Sequence, residues 1–107
     1  MRSATVSVHG RVAGTLTEVA RNRAYRFTYG SDYAGPPISV TMPVRSEPYE
    51  FDRFPSFFDG LLPEGAMLEA LLRTAKIDRD DPMQQLLTVG RDLVGAVTVA
   101  PPEEGPE

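Results

Sequence analysis

The stretch FFDGLLPEGAMLEALL, residues 57–72, marks where the apolar pattern of the chain changes period. Before it, apolar and polar residues alternate. From Pro63 onward, Leu68, Leu71, Leu72 and Ala75 recur at spacings of three and four, which puts them in one stripe on a helix. Pro63 suits a first helical turn, where its missing N–H would have no partner anyway, and Glu64 suits the positive end of the helix dipole. Phe57, Phe58, Leu61 and Leu62 read as core residues securing this helix to the rest of the fold. Met67 falls off the stripe. With the Pro63–Glu64–Gly65 step before it, this flexible apolar side chain marks a tip held near the surface.

Upstream, the pattern is that of strands. ATVSVHG places Ala4, Val6 and Val8 on one face and Thr5, Ser7 and His9 on the other. Gly10 and Gly14 flank RVA and can supply the backbone angles of a turn or bulge. GTLTEVA continues the alternation through Leu16 and, less cleanly, Val19. After a turn marked by Asn22, RNRAYRFTYG puts Tyr25, Phe27 and Tyr29 on one face. ISVTMPV reads as a fourth strand, with Pro43 arguing for an edge or a strand end.

Downstream, DDPMQQLLTVG signals a second helix. Asp81 is the N-cap, Pro82 the first residue, Gln84 the reciprocal partner of a capping box and Gly90 a left-handed end. LVGAVTVA reads as a last strand. PPEEGPE reads as a polar, acidic, disordered tail, so the domain spans residues 1–101 and the tail residues 102–107. Strands joined by short turns, then helices, then a strand, define an α+β fold built on an antiparallel sheet.

The totals bound what such a domain does. A chain of 107 residues is one domain and can bury one core without staples. No apolar run approaches the roughly 20 residues of a spanning helix, and the start carries no signal region. Cysteine is absent, which removes disulfides and thiolate chemistry and fits a cytoplasmic protein. Net charge is −4, with 11 basic against 15 acidic side chains. Three of the acidic residues lie in PPEEGPE, so the remainder carries about −1 by subtraction. Arg11, Arg21, Arg23 and Arg26 cluster early but read as solvated strand and turn positions, and direct nucleic-acid binding lacks its basic face.

His9 is the single histidine and reads as a surface residue rather than a metal ligand or base. No Gly-x-Ser-x-Gly elbow presents a serine, and GRDLVG lacks the Gly-Lys-Ser/Thr of a phosphate loop. The RDD and GRD triplets lack the magnesium-holding segments of a kinase. Asp78, Asp80 and Asp81 lack the Gly and closing Glu of a calcium loop. The reading is a non-enzymatic domain without cofactors that acts by contact.

At FFDGLLPEG and PMQQLLTVGRDLVGAVTV the sequence resembles the N-terminal subdomain of HipA-type Ser/Thr kinases, toxins of bacterial toxin–antitoxin systems. The family pattern is Phe-Phe-x-Asn-Leu-Leu-Pro-Glu/Asp, a spacer, Pro-Phe-x-Leu-Leu, and Gly-x-Asp-x-Val-Gly-Ala-Val. Phe57, Phe58, Leu61, Leu62, Pro63 and Glu64 match the first block. Pro82, Leu86 and Leu87 match the middle, and Gly90, Asp92, Val94, Gly95, Ala96 and Val97 the last. Gly60 and Met83 depart from it, standing where the family has Asn and an aromatic. The likeness runs from about Val6 to Pro101.

The resemblance implies a small antiparallel sheet, barrel-like or strongly curved, with two helices. Since the chain stops where a HipA-like protein would enter its kinase core, it also resembles the HipS class of split HipBST systems. There the implied role is an antitoxin that binds and inhibits a HipT-like Ser/Thr kinase, with a HipB-like protein contacting DNA in a larger complex. The alternative is an accessory subdomain of an intact HipA-like kinase. The expected kinase-binding residues are Leu62, Pro63, Glu64, Gly65, Ala66 and Met67.

Overall fold

The computed structural model describes residues 2–93 and 95–101, so the expected tail at residues 102–107 lies outside the described residues. Five antiparallel strands form one open sheet in the order β4-β3-β2-β1-β5, so the fold is α+β and the sheet does not close into a barrel.

Strand β1 (Ser3–Val8) turns into β2 (Arg11–Ala20) through His9 and Gly10. Both have left-handed φ, +51° and +79°, as a two-residue hairpin turn of the right twist demands. His9 is therefore a turn residue rather than a strand residue. Strand β2 is continuous across the RVA–GTLTEVA boundary, with two irregularities. Val6 faces Gly14 while Ser7 faces Val12, leaving Ala13 as an extra residue, so Ala13 and Gly14 are both buried. A Cβ on Gly14 would lie 2.3 Å from the Thr28 carbonyl, so close approach rather than turning explains this glycine. The second shift leaves Val19 without a partner and turns it out to 36% exposure, which accounts for the broken alternation there.

Asn22, at φ +58°, makes the turn into β3 (Ala24–Tyr29). ISVTMPV is not a strand. Ser39 and Met42 form one isolated bridge around a turn, and Val40 at its tip is 94% exposed. Pro36, Pro37 and Pro43 deprive this segment of ladder donors. The Tyr29 hydroxyl takes over the role of a ladder partner, accepting from Ile38 N at 2.9 Å and donating to the Met42 carbonyl. The fourth strand is instead β4 (Tyr49–Phe51), at the sheet edge beside β3.

Three α-helices follow rather than two. Helix α1 (Ser56–Asp59) is a single turn that inserts Phe58, fully buried, beside Phe27 at 6.0 Å between ring centres. Helix α2 (Gly65–Ala75) is described below. Helix α3 (Pro82–Val89) is capped by Asp81, whose carboxylate accepts from Gln84 N. The Gln84 side chain does not close a capping box; it donates to Thr88 Oγ1. Met83 and Leu86 of α3 are fully buried in the same cluster as Ala4, Val6, Leu16 and Phe27.

Gly90 has right-handed φ, −57°, and carries the chain into a short 3-10 turn (Gly90–Asp92) instead of a left-handed end. Its role is contact: a Cβ there would lie 2.1 Å from the Val99 carbonyl. Gly95, at φ +117°, bends the chain so that β5 (Val97–Ala100) starts later than LVGAVTVA suggests and pairs with β1, Val99 against Val6. Among the described residues no helix is long and apolar enough to cross a membrane.

Candidate functional site

The segment from Phe58 to Lys76 builds an arm on the side of the core. After α1, turn hydrogen bonds from Leu61 N to Phe58 O (3.0 Å) and from Leu62 N to Asp59 O (3.1 Å) hold the chain tight. Pro63 lies outside the helix. Glu64 is the extended N-cap, with φ −130°, and Gly65 starts α2 at φ +59°. A left-handed first residue is open to glycine and prevents the helix from running back into Pro63.

Helix α2 ends at Lys76, also left-handed, whose N–H donates to Leu72 O. Beyond it, Gln85 Nε2 donates to the carbonyls of Asp78 and Arg79, both at 3.1 Å, and Arg79 pairs with Glu69 at 2.7 Å. The arm is thus fastened at its two ends.

Between those ends it is not packed down. No residue of α2 is buried. The Leu68/Leu71/Leu72/Ala75 stripe was expected to face the core, but the three leucines are half-buried and Ala75 is exposed. Two of its residues edge separate clefts, Leu68 one and Leu71 the other, and the two clefts share Gly60 and Pro63. One, of about 670 Å³, is polar, with Tyr25, Arg53, Asp59, Arg79 and Asp80 among its lining. The other, of about 610 Å³, is an apolar groove between α2 and α3, walled by Leu61, Pro63, Met67, Leu71, Val89 and Leu93.

The residues nominated from sequence fall along this arm. Leu62, Pro63 and Glu64 line the polar cleft, and Pro63 and Met67 line the apolar groove. Gly65 and Ala66 stand exposed at the start of α2. Met67 is 74% exposed. Phe58 is a core residue as expected, while Phe57, Leu61 and Leu62 are partly buried against that core. The far wall of the groove, Val89 and Leu93, was missed because no local pattern ties residues near position 90 to position 67. The near wall was readable: Met67, Ala70, Leu71 and Thr74 stand at helical spacings of three, four and seven.

A second polar assembly, also missed, braces the opposite end of α3. Glu18 is 3% exposed and accepts from Arg2 Nε at 2.7 Å, Arg2 Nη2 at 2.8 Å and Asn22 N at 3.0 Å. Arg2 also reaches Asp81, the α3 cap, at 2.9 Å. Burial works to raise the carboxyls of Glu18 and Asp81. The Arg2 hydrogen bonds, a backbone N–H at each, and the charges of Arg2 and Arg21 overcome it and hold both below the ordinary carboxylate range. The same partners raise the Arg2 guanidinium. The assembly is closed on itself and reads as a structural tie. Among the described residues no three His, Asp or Glu side chains gather as a metal site.

Comparison with known proteins places this architecture. The HipA N-terminal domain family matches residues 4–100. The solved structure of the N-terminal domain of HipA toxin superposes with a TM-score of 0.75 at 28% identity, covering 98% of this chain and 96% of that one. An uncharacterized protein of Haemophilus influenzae is 32% identical over 99 residues, 92% of each chain. A protein of Sinorhizobium fredii named "Putative kinase Y4dM" is 32% identical over 108 residues, and there the match spans 92% of this chain but only 26% of the relative. Sequence match across nearly the whole chain and a shared fold agree: the chain belongs to the HipA N-terminal domain family.

Proposed function

We propose that the protein is the antitoxin of a tripartite HipBST-type system, a HipS-like chain that binds a HipT-like Ser/Thr kinase in the cytoplasm and silences it by contact, without catalysis of its own. The observation that carries this reading is the arm. A domain whose relatives include a named kinase holds out an amphipathic helix with no buried residue and Met67 at its exposed start. The Haemophilus relative, matched over 92% of its own length, supports a domain of this kind existing apart from a kinase core. In this reading Leu62, Pro63, Glu64, Gly65, Ala66 and Met67 touch the kinase, and a HipB-like protein supplies the DNA contact that a chain of net charge −4 does not.

Silencing proceeds in one of two ways. The tip blocks the nucleotide or substrate site, or the domain clamps the kinase so that its Gly-rich loop cannot close, a population shift of a few kcal/mol. Kinase affinity for ATP separates them: lost phosphorylation with unchanged ATP affinity counts against the plug.

Co-expression with the kinase in a growth assay tests the reading. The wild-type chain is expected to restore growth, Met67→Asp to restore it poorly while remaining folded, and Leu62→Asp to lose structure because a half-buried leucine becomes a charge. Growth restored equally by Met67→Asp removes the tip from the interface. A second reading, an accessory subdomain of an intact kinase with no independent antitoxin role, is favoured by the Sinorhizobium match, which covers only 26% of that protein. No rescue and no complex with a separate kinase would select it.

A further inference from the structure

We infer that the apolar groove between α2 and α3 is the seat for an apolar ridge of the kinase body that carries a basic residue. This rests on the reading that the partner is a kinase and adds where and how it docks. The groove has the character of a binding site: about 610 Å³, with apolar side chains on both walls. None of the described residues fills it, although α2 directs Met67, Ala70 and Leu71 at it and the turn after α3 supplies Leu93.

Position identifies the occupant. The family is the N-terminal domain of HipA, a domain that by its name precedes the rest of its protein beyond β5, and in the Sinorhizobium protein the match covers only 26% of the length. That strand is also what the groove wall is built on. Gly90 lies against the Val99 carbonyl with no room for a Cβ, which places Val89 and Leu93, on either side of the 3-10 turn, beside β5. A body joined to that strand meets the groove at high effective concentration, and a separate kinase using the same complementarity seats there without the tether. Charge completes the description. Among the described residues of the groove lining Asp92 is the single acidic or basic side chain, so the ridge that fits presents one cation to it beside apolar residues.

The experiment uses the full chain and a catalytically inactivated HipT-like kinase, with affinity read by titration. Ala70 is exposed and off the proposed tip, so Ala70→Asp leaves the fold intact, which thermal unfolding checks, and is expected to weaken binding about tenfold or more. Because the chain has no cysteine, Thr74→Cys places a single thiol in the groove and Val40→Cys a single thiol on a distant loop. Bound kinase is expected to shield the first from a maleimide and leave the second reactive. Tight binding by Ala70→Asp together with an unshielded Thr74→Cys overturns the groove and leaves the kinase reading standing. Absence of any complex with the unaltered chain overturns both.

Discussion

Helix α3 removes Met83, Gln85 and Leu86 from solvent in eight residues, whereas α2, with eleven, buries none. Both carry an apolar stripe, and each has a polar anchor, the Asp81 cap on α3 and the Arg79–Glu69 pair on α2. They differ in what lies opposite. Met83 and Leu86 of α3 belong to one buried cluster with Val6, Leu16 and Val99 of the sheet, so its apolar groups leave water among close-packed neighbours. In the stripe of α2, Leu68 and Leu71 edge two clefts, and the leucines stay half-wet while Ala75 is exposed. Amphipathicity therefore marks a helix that can be covered, and the covering surface need not belong to the same chain.

The sharpest way to break this contrast is truncation on each helix. Leu86→Ala in α3 is expected to cost about 2–5 kcal/mol in denaturant unfolding, for lost transfer and a residual cavity. Leu71→Ala in α2 should cost under about 1 kcal/mol, since much of that side chain is already in water. Equal losses would mean that α2 is as much a part of the core as α3. Gly90→Ala comes next, at about 1–3 kcal/mol, because its Cβ collides with backbone at Val99 and separates the α3 turn from β5.

The tie between Arg2, Glu18 and Asp81 sharpens the contrast from the polar side, since it anchors α3 and does not reach α2. Arg2→Met leaves the Glu18 carboxylate buried without its main partner, with an expected loss of about 1–3 kcal/mol. Both carboxyls sit below their ordinary values of 4.5 and 3.8 when folded. Their contribution is complete above those values and is lost as pH falls through the lower folded ones. Acid titration of thermal stability should thus show a steeper fall below about pH 4.5 in the wild type than in Arg2→Met.

The smallest effects fall on the arm itself. Amide exchange should be faster along α2 than along α3, reporting local opening of a helix without buried contacts. Met67→Asp should change stability by no more than about 0.5 kcal/mol while weakening kinase rescue. Strong protection of α2 in the free chain, or unfolding by Met67→Asp, would contradict an uncovered arm.

Much of this was legible. The alternation in β1 and β3 named Ala4, Val6, Val8, Tyr25, Phe27 and Tyr29, and all six are buried. The Asn22 turn and the Asp81–Pro82 helix start were set by local chemistry and stand where expected. Strand β4 was not legible, because Tyr49, Glu50 and Phe51 pair with residues more than twenty positions away and carry no turn signal of their own. ISVTMPV misled for the complementary reason: its strand-like residues serve a loop organised by the hydroxyl of Tyr29. On the arm, tip residues were visible as an apolar step around Pro63 and Gly65, but the groove behind Met67 was not, since its far wall, Val89, Asp92 and Leu93, comes from the end of α3 and the turn after it.

What the sequence determined alone were the properties decided within a turn or two of chain: the period of each strand and helix, the positive-φ corners, the cap of α3 and the block motifs of the family. Tertiary structure decided which of two similar helices would be covered, why Glu18 can be an acid in the interior, and why Gly14 and Gly90 carry no side chain. Propensity and periodicity are local quantities, whereas burial, ion pairing and close approach depend on which distant segment the fold sets across the gap.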